Sequence, residues 1–131
     1  MASFDFGSIS AYKLGYVGEL EAGTTNTVAI DTQGFEGVAL VTALGDTNVT
    51  AANTNVVVSP LQGDDTNISN ASAISANFIV DNQAIDSNVG VWKTSFKPSS
   101  RYVFGRVVAT ATEGNIAVIG ALGFPHNAPT E

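Results

Sequence analysis

Few residues of this chain could carry acid–base or nucleophilic chemistry. Its 131 residues include no cysteine and a single histidine, His126. Such catalysis needs a nucleophile beside a base, a pair of carboxylates in a cleft, or a metal. His126 follows Pro125 in a proline-containing tail, which favours an exposed or interfacial imidazole over a general base. The chain has no metalloprotease, serine-hydrolase or phosphate-loop motif, so we predict no enzymatic activity, no catalytic residues and no cofactor.

Two groups of aspartates could supply oxygen ligands for Ca²⁺. Asp64 and Asp65 lie near Asn67 in a polar segment, and Asp81 and Asp86 follow a predicted strand. Calcium prefers carboxylate and carbonyl oxygens, and a calcium-dependent hydrolase would need these groups to converge. Neither group has the spacing of a known calcium loop, so we favour solvated turn carboxylates and predict no metal site.

Three aromatic residues in predicted strands have two interpretations. Trp92, Tyr102 and Phe104 could form a platform on which a sugar stacks, as exposed aromatics do in carbohydrate-binding sandwiches. Each of them falls at a position that the strand pattern buries. We therefore favour packing in the core.

The basic residues are concentrated in one part of the chain. Lys93, Lys97, Arg101 and Arg106 make up four of the five lysines and arginines. This asymmetry fits a fixed orientation on a partner, and it fits pairing with the domain's own carboxylates equally well.

Length and composition indicate one globular domain with a largely neutral surface. The chain is 44% hydrophobic, only 13% charged, and carries a formal net charge of −7. The negative charge argues against nucleic acid as a partner, and neutral polar groups can be either solvated or covered by a protein. Because we find no apolar run of membrane-spanning length and no leader pattern, we expect no membrane partner and synthesis in the cytoplasm.

Period-two alternation of β-branched residues predicts an all-β chain. We expect Pro60 to end the third strand, residues 61–75 to form a long loop, and the last two strands to form a hairpin. This pattern predicts a single β-sandwich or jelly-roll domain. The predicted strands cover residues 27–31, 35–44, 53–59, 76–80, 90–96, 101–112 and 116–122.

The two ends of the chain follow the strand pattern less well. We predict an N-terminal arm over residues 1–25, a sandwich domain over 26–122, and an extended C-terminal tail over 123–131. Residues around Tyr12 and Tyr16 have a second interpretation, as a further strand of the sandwich.

Three segments resemble small β-rich proteins encoded in the head-gene region of tailed bacteriophages, the capsid decoration or cement proteins. They are NTVAIDTQGFEGVALVTALG at 26–45, SRYVFGRVVATA at 100–111 and GALGFPHNAP at 120–129. The family pattern has a longer serine- and acid-rich middle segment than this chain. The resemblance implies a structural virion protein on the capsid surface, which binds across neighbouring major capsid protein subunits.

The resemblance also implies a homotrimer at quasi-threefold points of the shell, made in the host cytoplasm. Both ends carry apolar residues without regular alternation, so we expect the ends to clasp the shell or neighbouring copies. The candidate capsid or oligomer contacts are Phe4, Phe6, Tyr12, Tyr16, Phe124, Pro125 and His126. The alternative function is a carbohydrate- or receptor-binding module of a phage tail or surface structure, in which Trp92 or Tyr102 would face solvent.

Overall fold

The computed structural model describes residues 11–45, 56–85, 87, 89–110 and 114–125. Within these ranges, no helix has the length and hydropathy needed to cross a membrane. Two short 3-10 helices cover Ile68–Asn70 and Ala76–Phe78. The strands are β1 (Ala11–Glu19), β2 (Gly23–Asn26), β3 (Ile30–Asp31), β4 (Phe35–Gly45), β5 (Val56–Gly63), β6 (Ser72–Ala73), β7 (Ile79–Asn82), β8 (Gly90–Phe96), β9 (Tyr102–Ala109) and β10 (Asn115–Pro125).

The strands build two antiparallel sheets that pack together. Sheet A has the order β1-β10-β4-β8-β7, and sheet B has the order β2-β9-β5-β6 with β3 also paired to β9. This arrangement confirms the predicted all-β sandwich.

The core lies between the sheets because each central strand turns alternate residues inward. Val118 of β10 in sheet A and Val103 of β9 in sheet B have no exposed surface. Phe96 of β8 and Leu40 of β4 are each 1% exposed. Four central strands therefore supply much of the apolar surface that holds the two layers together.

Strand β4 confirms the prediction made for residues 35–44. It lies between β10 and β8, as expected of a segment with two apolar faces. Its buried residues alternate along the strand and are Val38, Leu40, Thr42 and Leu44.

The predicted hairpin of the last two strands is wrong. Strand β9 pairs with β2, β3 and β5, whereas β10 pairs with β1 and β4 in the other sheet. Residues 110–114 separate the two strands, and this length is sufficient to cover the roughly 10 Å between packed sheets. Alternation identifies residues that share a face, but it does not identify the sheet to which a strand belongs.

Strand β5 continues through Pro60, where we predicted that it would end. Pro60 pairs with Gly105, and its carbonyl accepts a hydrogen bond of 3.4 Å from the N–H of Ile74. The N–H that proline lacks would point to the same side of the strand as this carbonyl. That side faces the end of the two-residue strand β6. The missing N–H therefore interrupts no long series of backbone hydrogen bonds between strands. The predicted 61–75 loop therefore contains the end of β5, a 3-10 helix and β6.

Two other predicted strands are shorter than expected. Of residues 27–31, only Ile30 and Asp31 form a strand. Residues 27–29 interrupt the pairing with β9 that β2 and β3 share, and their backbone hydrogen bonds reach both sheets. Thr27 donates its N–H to the carbonyl of Gly105 at 2.9 Å, and Val28 donates to the carbonyl of Gly15 at 3.0 Å. Of residues 76–80, the first three form a 3-10 helix.

Both ends of the described chain belong to the sandwich. Residues 11–19 pair with β10, and residues 23–26 pair with β9. Pro125 of β10 pairs with Phe35. The structure thus favours the strand interpretation of the segment around Tyr12 and Tyr16, and the sheets extend beyond the predicted boundaries at residues 26 and 122.

Candidate functional site

The outward surface of sheet A is built from rows of side chains that cross the strands, and three neighbouring rows are largely apolar. We call these residues the outer face. The first row is Tyr12, Ala121, Ala39, Ser95 and Asp81; the second is Leu14, Ile119, Val41 and Lys93; the third is Val17, Ala117, Ala43 and Val91. Every residue of the rows other than Ser95, Asp81 and Lys93 is alanine, valine, leucine, isoleucine or tyrosine. Sheet A is therefore apolar on both faces, and among the described residues the core covers only one of them.

The largest side chains of the outer face are open to solvent. Tyr12 is 67% exposed, Leu14 57%, Val17 63% and Val91 65%. Exposed apolar surface of this extent is found more often at interaction sites than elsewhere on protein surfaces.

A β-bulge brings the residues of β1 onto this face. Leu14 and Val17 are three residues apart, so a regular strand would point them to opposite sides. The pairing with β10 shifts between Leu14 and Tyr16, and this shift turns both apolar side chains outward. Gly15 allows the bulge because a Cβ there would lie 2.9 Å from the carbonyl oxygen of Val118.

A shallow apolar groove runs across one end of the outer face. It has a volume of about 540 Å³. Small residues form its floor, among them Gly37, Ala39 and Ala121, while Tyr12 and Val80 stand at its sides. Glu36 and Lys97 also line the groove, so its charged groups are of opposite sign.

The predicted contact residues fall in different places. Tyr12 lies on the outer face. The Tyr16 ring packs against the core, and its hydroxyl donates a hydrogen bond of 3.3 Å to the carbonyl of Glu19. Phe124 and Pro125 belong to the end of β10. Phe4, Phe6 and His126 lie outside the described residues.

Most residues of the outer face are not predicted as contacts from the sequence. The signal of this face was present in β4, where Ala39, Val41 and Ala43 alternate with a second apolar set. That pattern correctly predicted a central strand. It also implies that a further layer is needed on the outer side, because a doubly apolar strand is typical of sheets covered on both faces.

The oxygens of the 64–70 segment are used to hold that segment together. The Asp65 carboxylate accepts hydrogen bonds from the N–H of Asn67 at 2.9 Å and from the side-chain amide of Asn70 at 3.0 Å. The Asn67 side chain accepts from the N–H and hydroxyl of Ser69 and caps the first 3-10 helix. Among the described residues, no three histidine, aspartate or glutamate side chains form a metal-binding cluster; Asp86 lies outside them.

Two of the three aromatic residues considered as a sugar platform are buried or packed against the core. Phe104 is 1% exposed. Trp92 is half-buried and packs against the core, which confirms the core interpretation for both residues. Tyr102 is half-buried beneath the guanidinium of Arg101, which lies 5.1 Å from the ring centre.

Arg101 also forms an ion pair within the domain. Its guanidinium donates to both oxygens of Asp31 at 3.0 and 2.8 Å. These hydrogen bonds, with one from the N–H of Gln33, lower the pKa of Asp31 from 3.8 to about 2. Of the clustered bases, Arg101 thus pairs with the domain's own carboxylate, while Lys93 lies on the outer face.

The main interaction available on the described surface is the burial of apolar side chains, at the outer face and its groove. Comparison with known proteins gave no match among family models, curated proteins or solved structures.

Proposed function

We propose that this chain is a structural virion protein that decorates and stabilises a tailed-phage capsid by binding across neighbouring major capsid protein subunits. The observation that carries the proposal is the apolar outer face of sheet A, which no other part of the described chain covers. A sheet with two apolar faces favours a protein that works as part of an assembly. The resemblance of residues 26–45, 100–111 and 120–129 to capsid decoration proteins supplies the type of assembly.

The size of the outer face fits a protein that acts in many copies. Four strands about 4.8 Å apart, each contributing about seven residues of about 3.3 Å, cover roughly 500 Å² together with the short strand β7. Burial at about 25 cal/mol per Å² contributes about 12 kcal/mol before the entropy cost of association, which is of similar size. One such contact is therefore weak, whereas repeated contacts on a shell add avidity.

The ends of the chain are the proposed contacts with the coat subunits. Phe4 and Phe6 precede β1, and Phe124, Pro125 and His126 lie at and after the end of β10. Apolar and aromatic residues of this type anchor protein interfaces. On the shell, three copies around each quasi-threefold point, in contact through their ends, would repeat these contacts around the axis.

The test is co-sedimentation of the purified chain with capsids that lack decoration protein. We expect the bound chain to saturate at a fixed ratio to the coat subunit. Replacing Phe4 and Phe6 by serine should weaken binding at least tenfold, to judge from the roughly 2 kcal/mol or more that an interfacial anchor contributes. Val28→Ser is the matched control, because Val28 is 63% exposed and lies outside the outer face.

Two results would contradict the proposal. One is a chain that stays in the supernatant at every concentration. The other is binding that rises without saturation, since non-specific adsorption has no fixed ratio. Unchanged binding of the Phe4/Phe6 variant would reject the N-terminal contacts alone.

A further inference from the structure

We propose that the outer face is covered by a second copy of this chain. The contact is apolar sheet packing, of the kind that holds the two layers of a sandwich about 10 Å apart. The inference goes beyond the proposed function because it concerns the purified chain without any capsid. Self-association and shell binding can therefore fail separately.

The charge distribution of the chain favours this face for self-association. Each copy has a formal net charge of −7, so contacts through most other surfaces bring like charges together. The rows of the outer face contain one acidic and one basic residue, Asp81 and Lys93. The groove adds Glu36 and Lys97. Glu19, the next outward residue of β1, borders the face, so two acidic copies can meet here with only a small excess of negative charge.

The shape of the outer face is complementary to the same face on a second copy. Tyr12, Leu14 and Val17 form a raised edge on β1, and each is more than half exposed. The centre of the face is lower, because small residues such as Ala39 and Ala117 occupy the neighbouring strands. A copy related by a two-fold rotation can place its raised edge over this centre, as in an isologous interface.

The area is sufficient for a specific contact between copies. Each face of roughly 500 Å² contributes to a total burial of roughly 1,000 Å², which is about the lower limit for a specific protein–protein interface. Such a contact forms reversibly, so the mass of the purified chain should depend on its concentration.

The experiment is sedimentation equilibrium of the full chain from micromolar to hundred-micromolar concentration. We expect a mass that rises from the 13.5 kDa of one copy to about twice that value, because an isologous contact joins only two copies. Leu14→Glu and Val91→Glu place a carboxylate in the contact at positions that are open to solvent in the monomer. Each should weaken self-association by about a hundredfold or more, because an unpaired charge would be buried.

Val108→Glu is the matched control. Val108 is a 45% exposed strand residue on the outward side of sheet B, and its replacement should leave self-association unchanged. Circular dichroism checks that each variant is folded, and the two variants of the outer face test the same contact independently. The proposal is overturned if the wild-type chain is a monomer throughout, or if folded Leu14→Glu and Val91→Glu chains associate as tightly as wild type.

Discussion

The Thr27 side-chain oxygen accepts a hydrogen bond of 2.9 Å from the backbone N–H of Gly105, a residue 78 positions further along the chain. The same hydroxyl donates to the carbonyl of Val28 at 2.9 Å. Thr27 is 5% exposed, and it lies between β2 and β3, which both pair with β9. A single hydroxyl thus links the segment between β2 and β3 to β9, in the interior of the sandwich.

Replacing Thr27 by valine should lower the free energy of unfolding by about 1–3 kcal/mol, because the buried N–H of Gly105 loses its acceptor while the side-chain volume is kept. Urea denaturation measures the change. Thr27→Ser retains the hydroxyl and should retain more of the stability. Thr24 lies at an exposed position of β2, so Thr24→Val should change the free energy of unfolding by less than about 0.5 kcal/mol. Equal effects of the two valine variants would contradict the assigned role of Thr27.

Gly120 and Ile30 are predicted to be energetically coupled. A Cβ on Gly120 would lie 2.9 Å from Cδ1 of Ile30 and 3.2 Å from its Cγ2, so Gly120→Ala should destabilise the fold by about 1–3 kcal/mol through overpacking. Ile30→Val removes Cδ1 and by itself should cost about 0.5–1.5 kcal/mol. The double variant should be more stable than the sum of the two changes predicts. Urea denaturation measures the free energy of unfolding of each variant. If the two single changes simply add in the double variant, the predicted coupling is wrong, and the sheets separate locally to accept the methyl group.

Local pattern predicted some elements of this fold well. Strand β8 covers the predicted 90–96, and β4 exceeds its prediction by one residue, Gly45. In both strands the alternation also identified which residues share a face. This information is local, because side-chain direction along a strand depends only on position within it.

Other features depend on pairings that no local pattern contains. Whether β9 and β10 share a sheet is decided by their partners, and the alternation of Val103 or Val118 is the same in either arrangement. The outer face exists because Leu14, Ile119 and Val41 come into register from three strands. Tyr12 is predicted as a contact from the sequence. The apolar surface around it forms only because the three strands pair in this register.

The ion pair between Asp31 and Arg101 predicts a specific pH dependence. The pKa of Asp31 is about 2 in the folded chain, below its ordinary value of 3.8, chiefly because Arg101 hydrogen-bonds the charged carboxylate. A carboxyl group whose pKa is lowered by folding stabilises the fold above its unfolded pKa, and this contribution is lost as the pH falls through the folded pKa. Arg101→Gln should therefore raise the Asp31 pKa towards 3.8 and reduce the stability lost between about pH 5 and pH 2.

Titration of the Asp31 carboxyl carbon by NMR measures this pKa directly, and thermal unfolding across the same pH range measures the linked stability. Arg106→Gln is the control, because Arg106 bonds the neutral side chain of Asn26 at 3.4 Å. An Asp31 midpoint near 3.8 in the wild-type chain would show that the pair does not persist in solution. The pair is partly open to solvent, so its effect should also diminish as salt is added.

Salt should have the opposite effect on self-association through the outer face. Acidic groups outside the face give each copy a formal charge of −7, and their mutual repulsion opposes contact at low ionic strength. Raising the salt concentration from about 0.01 M to 0.15 M shortens the screening length from about 30 Å to about 8 Å, while apolar burial is not weakened. The dissociation constant of the wild-type chain should therefore fall as salt rises, and Val91→Glu should remain a monomer at moderate salt. An association that weakens with added salt would instead require attractive ion pairs between copies, and the apolar outer face would not be its basis.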